Sequence, residues 1–339
     1  MKSLSCIFLT VLFLQSFVPL YAQDALYCLE LEQTKFEQFD VLNQDIEDKK
    51  IILLGEHHYM AANTPLQTDL FIHLNKQVGV RHLLIEFGRA EAYLYNQYLQ
   101  TGDEKYLNKT FAGFSRYKEF FPGWRKLYAY NAGLDSGKKM VVHGLDIERE
   151  PGLSASMYAL LSAYENNPSV SSLRDAIKLR LDTIGIERDT KEYTFYLREK
   201  IAALSLPDGE NKKSIDYILG NNSFFSNFMQ RDKYMEQTFL ELDTTDEVYL
   251  GQFGFGHTQM NNGEYLAGLL SKHEKYQNKI LIMNMYYMDS GKAHALNDLA
   301  DCPVFLYKFD LSDDKLGAFG ERGQWAIILK DQKRYSQIE

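Results

Sequence analysis

Seven short apolar runs punctuate the chain: "KIILLG" (50–55), "HLLIEF" (82–87), "KMVVHG" (139–144), "EVYLGQ" (247–252), "KILIMNMY" (279–286), "PVFLYKF" (303–309) and "WAIILK" (325–330). Most are continuous rather than alternating, the pattern of strands covered on both faces. Between them the period lengthens. Residues 66–79 set Leu66, Leu70, Phe71, Leu74 and Val78 on one stripe and end at Gly79, which predicts an amphipathic helix with a glycine stop. Strands alternating with helices predict an α/β fold, with a mostly parallel central sheet flanked by helices. Residues 152–246 break the alternation. They carry helical pattern, as in "SLRDAIKLRLDTI" and "TFYLREKIAALSL", and no convincing strand. A helical insertion between the third and fourth runs is expected there, its charged patches facing solvent. No internal repeat, low-complexity tract or linker divides the remainder, so 23–339 reads as one α/β domain.

The N-terminus changes the picture. Lys2 is followed by "LSCIFLTVLFLQSFVPL" and then by the small-residue end "LYAQDA", the layout of a signal peptide. Cleavage is expected after Ala22, leaving a mature chain that is exported, periplasmic or secreted, with no later apolar stretch long enough to span a membrane. Removing residues 1–22 removes one charge, Lys2, so the formal net charge of −9 becomes −10. Such a surface disfavours nucleic acid and anionic lipid as partners. A small-molecule or peptide substrate is the expected partner. Two cysteines survive cleavage, Cys28 and Cys302. In an oxidising compartment they would join if the first mature segment packs beside the strand after Cys302, with a stabilisation of up to roughly 5 kcal/mol. The rival is two buried free thiols.

Several apolar runs hand over to a polar group. The first ends Gly55-Glu56-His57-His58, and the second contains Glu86. The third leads to Asp146, and the fourth to His257 in "GQFGFGH". Ligands of open α/β sheets bind beyond the carboxyl ends of the strands, so Glu56, His58, Glu86, Asp146 and His257 are expected to converge in one crevice. Strand alternation points Glu56 and His58 the same way and His57 the other. Blander roles exist. Glu86 could cap a helix or pair with an arginine, and His257 could sit in a glycine loop. His143 reads as a core histidine and His73 as a helix-edge residue, while His82, His273 and His294 read as surface or boundary residues.

These residues also carry a resemblance. "LLGEHHY" with Gly-x-x-His at 55–58, "IEFG" with Glu86, and "GFGH" with Gly-x-x-His at 254–257 resemble a superfamily of α/β proteins. It groups the erythromycin esterase-like hydrolases, the Tiki (TraB/GumN) metalloprotease-like proteins and the ChaN haem-binding lipoproteins. "QRDKYM", with Arg231 and Asp232, is similar to the Arg-Asp-x-x-Met helix ahead of the last Gly-x-x-His strand. The histidines follow Glu56 by one and two residues, closer to the ChaN and Tiki spacing than to the Gly-Glu-x-x-His of the esterases.

The resemblance implies a hydrolase acting on an ester, lactone or peptide bond. Without metal, His58 would be the general base, oriented by Glu56 or Glu86, with Arg231 facing the developing oxyanion. With a divalent metal, His58 and His257 would bind it together with Glu56 or Glu86 and leave a position for activated water. The residues do not choose between these forms. There is no Gly-x-Ser-x-Gly elbow, so no serine nucleophile is implied. The alternative is a ChaN-like haem or porphyrin binder, one histidine on the iron and some of the 21 Phe and 23 Tyr around it.

Overall fold

The run "IILLGE" becomes strand β2 (Ile51–Glu56), and its alternate side chains explain why it is apolar throughout. Ile52 and Leu54 join one hydrophobic core and Ile51 and Leu53 another, so the strand is covered on both faces. The computed structural model describes residues 26–29, 36–110, 117–183, 191–222, 224, 228–287, 296, 299–312, 316–330 and 333–336. The expected signal peptide and His294 lie outside the described residues.

All seven apolar runs form strands: β2, β3 (His82–Ile85), β4 (Val141–Gly144), β5 (Tyr249–Gly254), β6 (Ile280–Tyr287), β7 (Val304–Lys308) and β8 (Trp325–Leu329). An eighth, β1 (Leu26–Cys28), escaped the pattern because three residues, two of them exposed, give no periodic signal. The sheet order is β1-β7-β8-β6-β2-β5-β3-β4. From β8 to β4 the neighbours are parallel, whereas β7 runs antiparallel to both β8 and β1. Cys28 pairs in register with Phe305, close enough for the Cys28–Cys302 disulfide, with Cα atoms 5.9 Å apart. The N-terminal segment does pack beside the late strand.

Helices α1 (Asn63–Val78), α2 (Arg89–Thr101) and α3 (Phe120–Ala132) follow in the first half. Helix α1 ends as its pattern predicts, with Gly79 in the left-handed region at φ +72° accepting the turn that a side chain would resist. Leu66, Leu70 and Phe71 of α1 and Trp124 of α3 pack with Ile52 and Leu54. Between β4 and β5 lie α4 (Glu150–Leu160), α5 (Pro168–Thr183), α6 (Lys191–Ala202), α7 (Glu210–Leu219) and α8 (Phe228–Leu242), and no strand among the described residues. Helices α4 to α7 build a core of their own from Leu153, Met157, Ile177, Leu197 and Ile215. Helix α8 instead returns to the sheet, setting Met235 and Phe239 against Ile51 and Leu53, and is followed after β5 by α9 (Leu266–Leu270). No helix of the described residues is long and apolar enough to cross a membrane.

Candidate functional site

Strands β2, β5, β3 and β4 are consecutive and parallel, so their carboxyl ends face one side. Glu56 is the last residue of β2. Glu86 lies just beyond β3, which stops at Ile85 rather than running through it as the sequence suggested. Asp146 and His257 sit in the loops after β4 and β5. The five predicted strand-end groups come together, and Arg231 and Asp232 reach them from α8.

The site has two tiers. In the exposed tier, Glu56 Oε1 and His58 Nδ1 are hydrogen-bonded at 2.7 Å, and the His58 side chain is 52% exposed. Glu56 is held from behind: Gln252 donates to its Oε2 at 2.9 Å and the Asn63 amide donates to the same oxygen. Asn63 also donates to the His57 carbonyl at 2.8 Å and accepts from the Tyr287 hydroxyl. His57 points away, stacked near Phe255 and edge-on to Tyr287. Gly254 makes room for the dyad, because a Cβ there would lie 2.9 Å from His58 Nε2.

The buried tier is a chain of alternating charges. His257, 2% exposed, is bonded through Nδ1 to Asp232 at 2.8 Å and lies with Nε2 3.2 Å from Glu86 Oε1. Asp232 Oδ1 also accepts the Leu266 N–H at the start of α9. Arg231 Nη2 donates to Glu86 at 2.7 Å, and its Nε and Nη2 both donate to Asp146. The Gly254 N–H donates to the second Glu86 oxygen at 2.6 Å. The tiers meet at Glu86, whose Oε1 is 3.9 Å from His58 Nε2.

These contacts set the protonation states. The Glu56 hydrogen bond raises the His58 pKa against the opposing effect of burial, and the Glu86 charge adds to the rise. Burial pushes Glu56 itself up, with the His58 bond opposing. For Glu86 burial also pushes up, but the His257 bond and the charges of His257, Arg231 and His58 outweigh it and hold the carboxyl far below its usual range. Burial disfavours a charged His257, yet Asp232 and Glu86 raise it to about 9. At neutral pH the Glu86–His257 pair of the buried tier is therefore ionised, and His58, half-exposed and bonded to one acid, is the ring placed to exchange protons with water.

Two expectations change. Arg231 was expected to face an oxyanion, but its Nε and one Nη are spent on Asp146 and Glu86, because two buried carboxylates need that cation more. It fixes the carboxylates instead. A metal at His58, His257, Glu56 and Glu86 does not fit the donors as they stand: Glu86 already carries a guanidinium, and both nitrogens of His257 face acids. Among the described residues no group of three or more His, Cys, Asp or Glu is arranged to hold an ion. For haem, His257 is enclosed, and His58 is the exposed ring of the two.

Sequence reasoning missed Asn63, Gln252 and the role of Asp232. Gln252 had a signal, a lone polar residue within a buried strand, as did Asp232, next to Arg231 on one helix. Asn63 had none. Arg149, half-buried where the loop after β4 enters α4, was missed too; its pKa is lowered by burial, with Asp146, Arg231 and Glu86 all in electrostatic range. A cavity of about 410 Å³ lies along the outer edge of β4, lined by Tyr93, Asn96, His143 and Tyr217 among others, and includes none of the strand-end acids.

No protein-family model and no curated protein sequence matches the chain. Solved structures do. A succinoglycan biosynthesis protein superposes with a TM-score of 0.61 at 15% identity, covering 92% of this chain and 95% of the other. A protein from Bacillus cereus gives 0.60 at 13%, covering 93% and 97%. The erythromycin esterase EreC, as a histidine-to-asparagine mutant in its open conformation, gives 0.59 at 14%, covering 92% and 99%. The chain shares the fold of these three structures. At these identities the likeness is one of fold.

Proposed function

We propose that the chain is an exported hydrolase that cleaves an ester, lactone or peptide bond with His58 as general base. The observation that carries this reading is the Glu56–His58 pair at the open end of a central strand. His58 Nε2 takes a proton from water as the water oxygen attacks the carbonyl carbon. The imidazolium so formed is stabilised by Glu56 on one side and Glu86 on the other. It then returns the proton to the departing oxygen or nitrogen as the carbonyl re-forms. The oxyanion between these steps falls to Arg149, half-buried at the same strand ends, since Arg231 and His257 already neutralise the buried acids. Erythromycin esterase, with the same fold, supports ester chemistry first.

The test is a panel of small esters, lactones and peptides offered to the purified protein and to His58→Ala. The wild type should turn over at least one, and the variant should be slower by about a hundredfold or more, the usual scale for losing a general base. Equal rates for the two proteins would end the assignment.

A further inference from the structure

Residues 57–62 carry His58 from the end of β2 to the start of α1, and Tyr59 among them has φ +69°. A bulky side chain in the left-handed region costs about 1–2 kcal/mol and persists where its surroundings impose it. What imposes it is a segment from the far end of the sequence. Arg334 forms an antiparallel bridge with Met60. On either side, the Tyr335 N–H donates to the Tyr59 carbonyl at 2.7 Å and the Ala61 N–H donates to the Lys333 carbonyl at 2.9 Å. Ser336 extends the seam, its N–H donating to the Glu119 carboxylate at 3.0 Å and its carbonyl accepting from the Lys118 N–H at 2.9 Å.

Tyr335 contributes most of the side-chain contact. Its hydroxyl meets that of Thr64 at 2.6 Å, one residue past Asn63, whose amide holds Glu56. Its ring stacks on Tyr117 with centroids 4.6 Å apart. Tyr117 packs edge-on against Tyr59, and Tyr59 edge-on against His58. The contacts thus close on both ends of the dyad: on the main chain just after His58, and on the helical turn that fixes Glu56.

We propose that residues 333–336 are a strap that sets the His58 turn, with Tyr335 as its positioning residue. The inference rests on the reading of His58 as the base. Tyr335 touches neither His58 nor Glu56 directly; it acts through Tyr59, Tyr117 and Thr64. A general base works only within hydrogen-bond reach of its water, and a displacement of roughly 1 Å can cost about a hundredfold. A left-handed Tyr59 released from the strap relaxes toward ordinary φ, and that rotation would carry the adjacent His58 ring out of line with Glu56.

The test uses the full-length protein with isotope-labelled histidine, comparing wild type, Tyr335→Phe and Tyr335→Ala at one fixed pH. In Tyr335→Ala the ring resonances of His58 should move or broaden, while those of His82 and His143, on strands β3 and β4 that the strap does not touch, stay in place. With a hydrolysed substrate in hand, kcat should fall about tenfold or more with a smaller change in KM. Tyr335→Phe, which keeps the stack and loses the Thr64 contact, should fall between the two. A folded Tyr335→Ala with unmoved His58 resonances overturns the strap. If that variant does not fold, Tyr335→Phe decides by the same criterion. A wild type that hydrolyses nothing sinks the hydrolase reading alone, since the resonances still judge the strap.

Discussion

The Gly-x-x-His stretches at 55–58 and 254–257 close adjacent parallel strands, and they end in opposite environments. Gly55-x-x-His58 leaves its histidine half-exposed, bonded to one acid. Gly254-x-x-His257 buries its histidine to 2% exposure, between Asp232 and Glu86. The strands are in register, with Glu56 opposite Gly254. What separates the two rings is what reaches them: α8 brings Asp232 onto His257, whereas Gln252 and Asn63 back the acid of His58. The lesson is that a short motif places a histidine at a strand end, and the neighbouring helix decides whether that histidine exchanges protons or carries a fixed charge.

If the buried tier is a fixed charge array, removing one member should cost more stability than removing anything in the exposed tier. Arg231→Ala leaves Glu86 and Asp146 buried without their shared cation. A loss of about 3–5 kcal/mol is expected by urea denaturation at neutral pH. A loss below about 1 kcal/mol would mean that the two tiers do not differ in this way.

A smaller effect follows from His257. Its pKa rises on folding from the ordinary 6.5 to about 9, so the folded state binds the extra proton more tightly. Its contribution is complete below about pH 6.5 and is lost as pH climbs through 9, a slope worth on the order of a few kcal/mol. Stability measured at pH 6, 7.5 and 9 should decline across that window, and Asp232→Asn should flatten the decline. A wild type equally stable at all three values would contradict the fixed positive charge.

The smallest effect belongs to His57, which points away from the dyad. His57→Ala should alter stability by about 0.5 kcal/mol or less, as expected of an exposed side chain outside any network, and should leave hydrolysis within about threefold. A large rate loss would reverse the assignment of the neighbouring histidines.

Much of this arrangement was legible beforehand, and the reason is periodicity. Strands covered on both faces write unbroken apolar runs, so β2 to β8 stand out, as does the strandless stretch that became α4 to α8. The same runs end at Glu56, Glu86, Asp146 and His257, and the rule for parallel sheets gathers them on one side. Contacts made by loops and chain ends carried no such signal. β1 is too short to show a period, Asn63 is a polar residue at a helix start like many others, and nothing in "KRYS" announces that Tyr335 will lie against Thr64. The role of Arg231 was misjudged for a related reason: sequence gave its position, but the number of carboxylates competing for it is a tertiary fact.

The central claim is that His58, with its pKa raised by Glu56, is the base. The direct measurement is the pH dependence of kcat/KM for wild type and Glu56→Gln on one hydrolysed substrate. A base must be neutral to act, so wild-type activity should rise with pH through a limb above 6.5, the ordinary histidine value. In Glu56→Gln that limb should move down toward 6.5 as the stabilising carboxylate is lost. A limb unmoved by Glu56→Gln, or one near 9 that instead follows Asp232→Asn, would show that the working histidine is not His58.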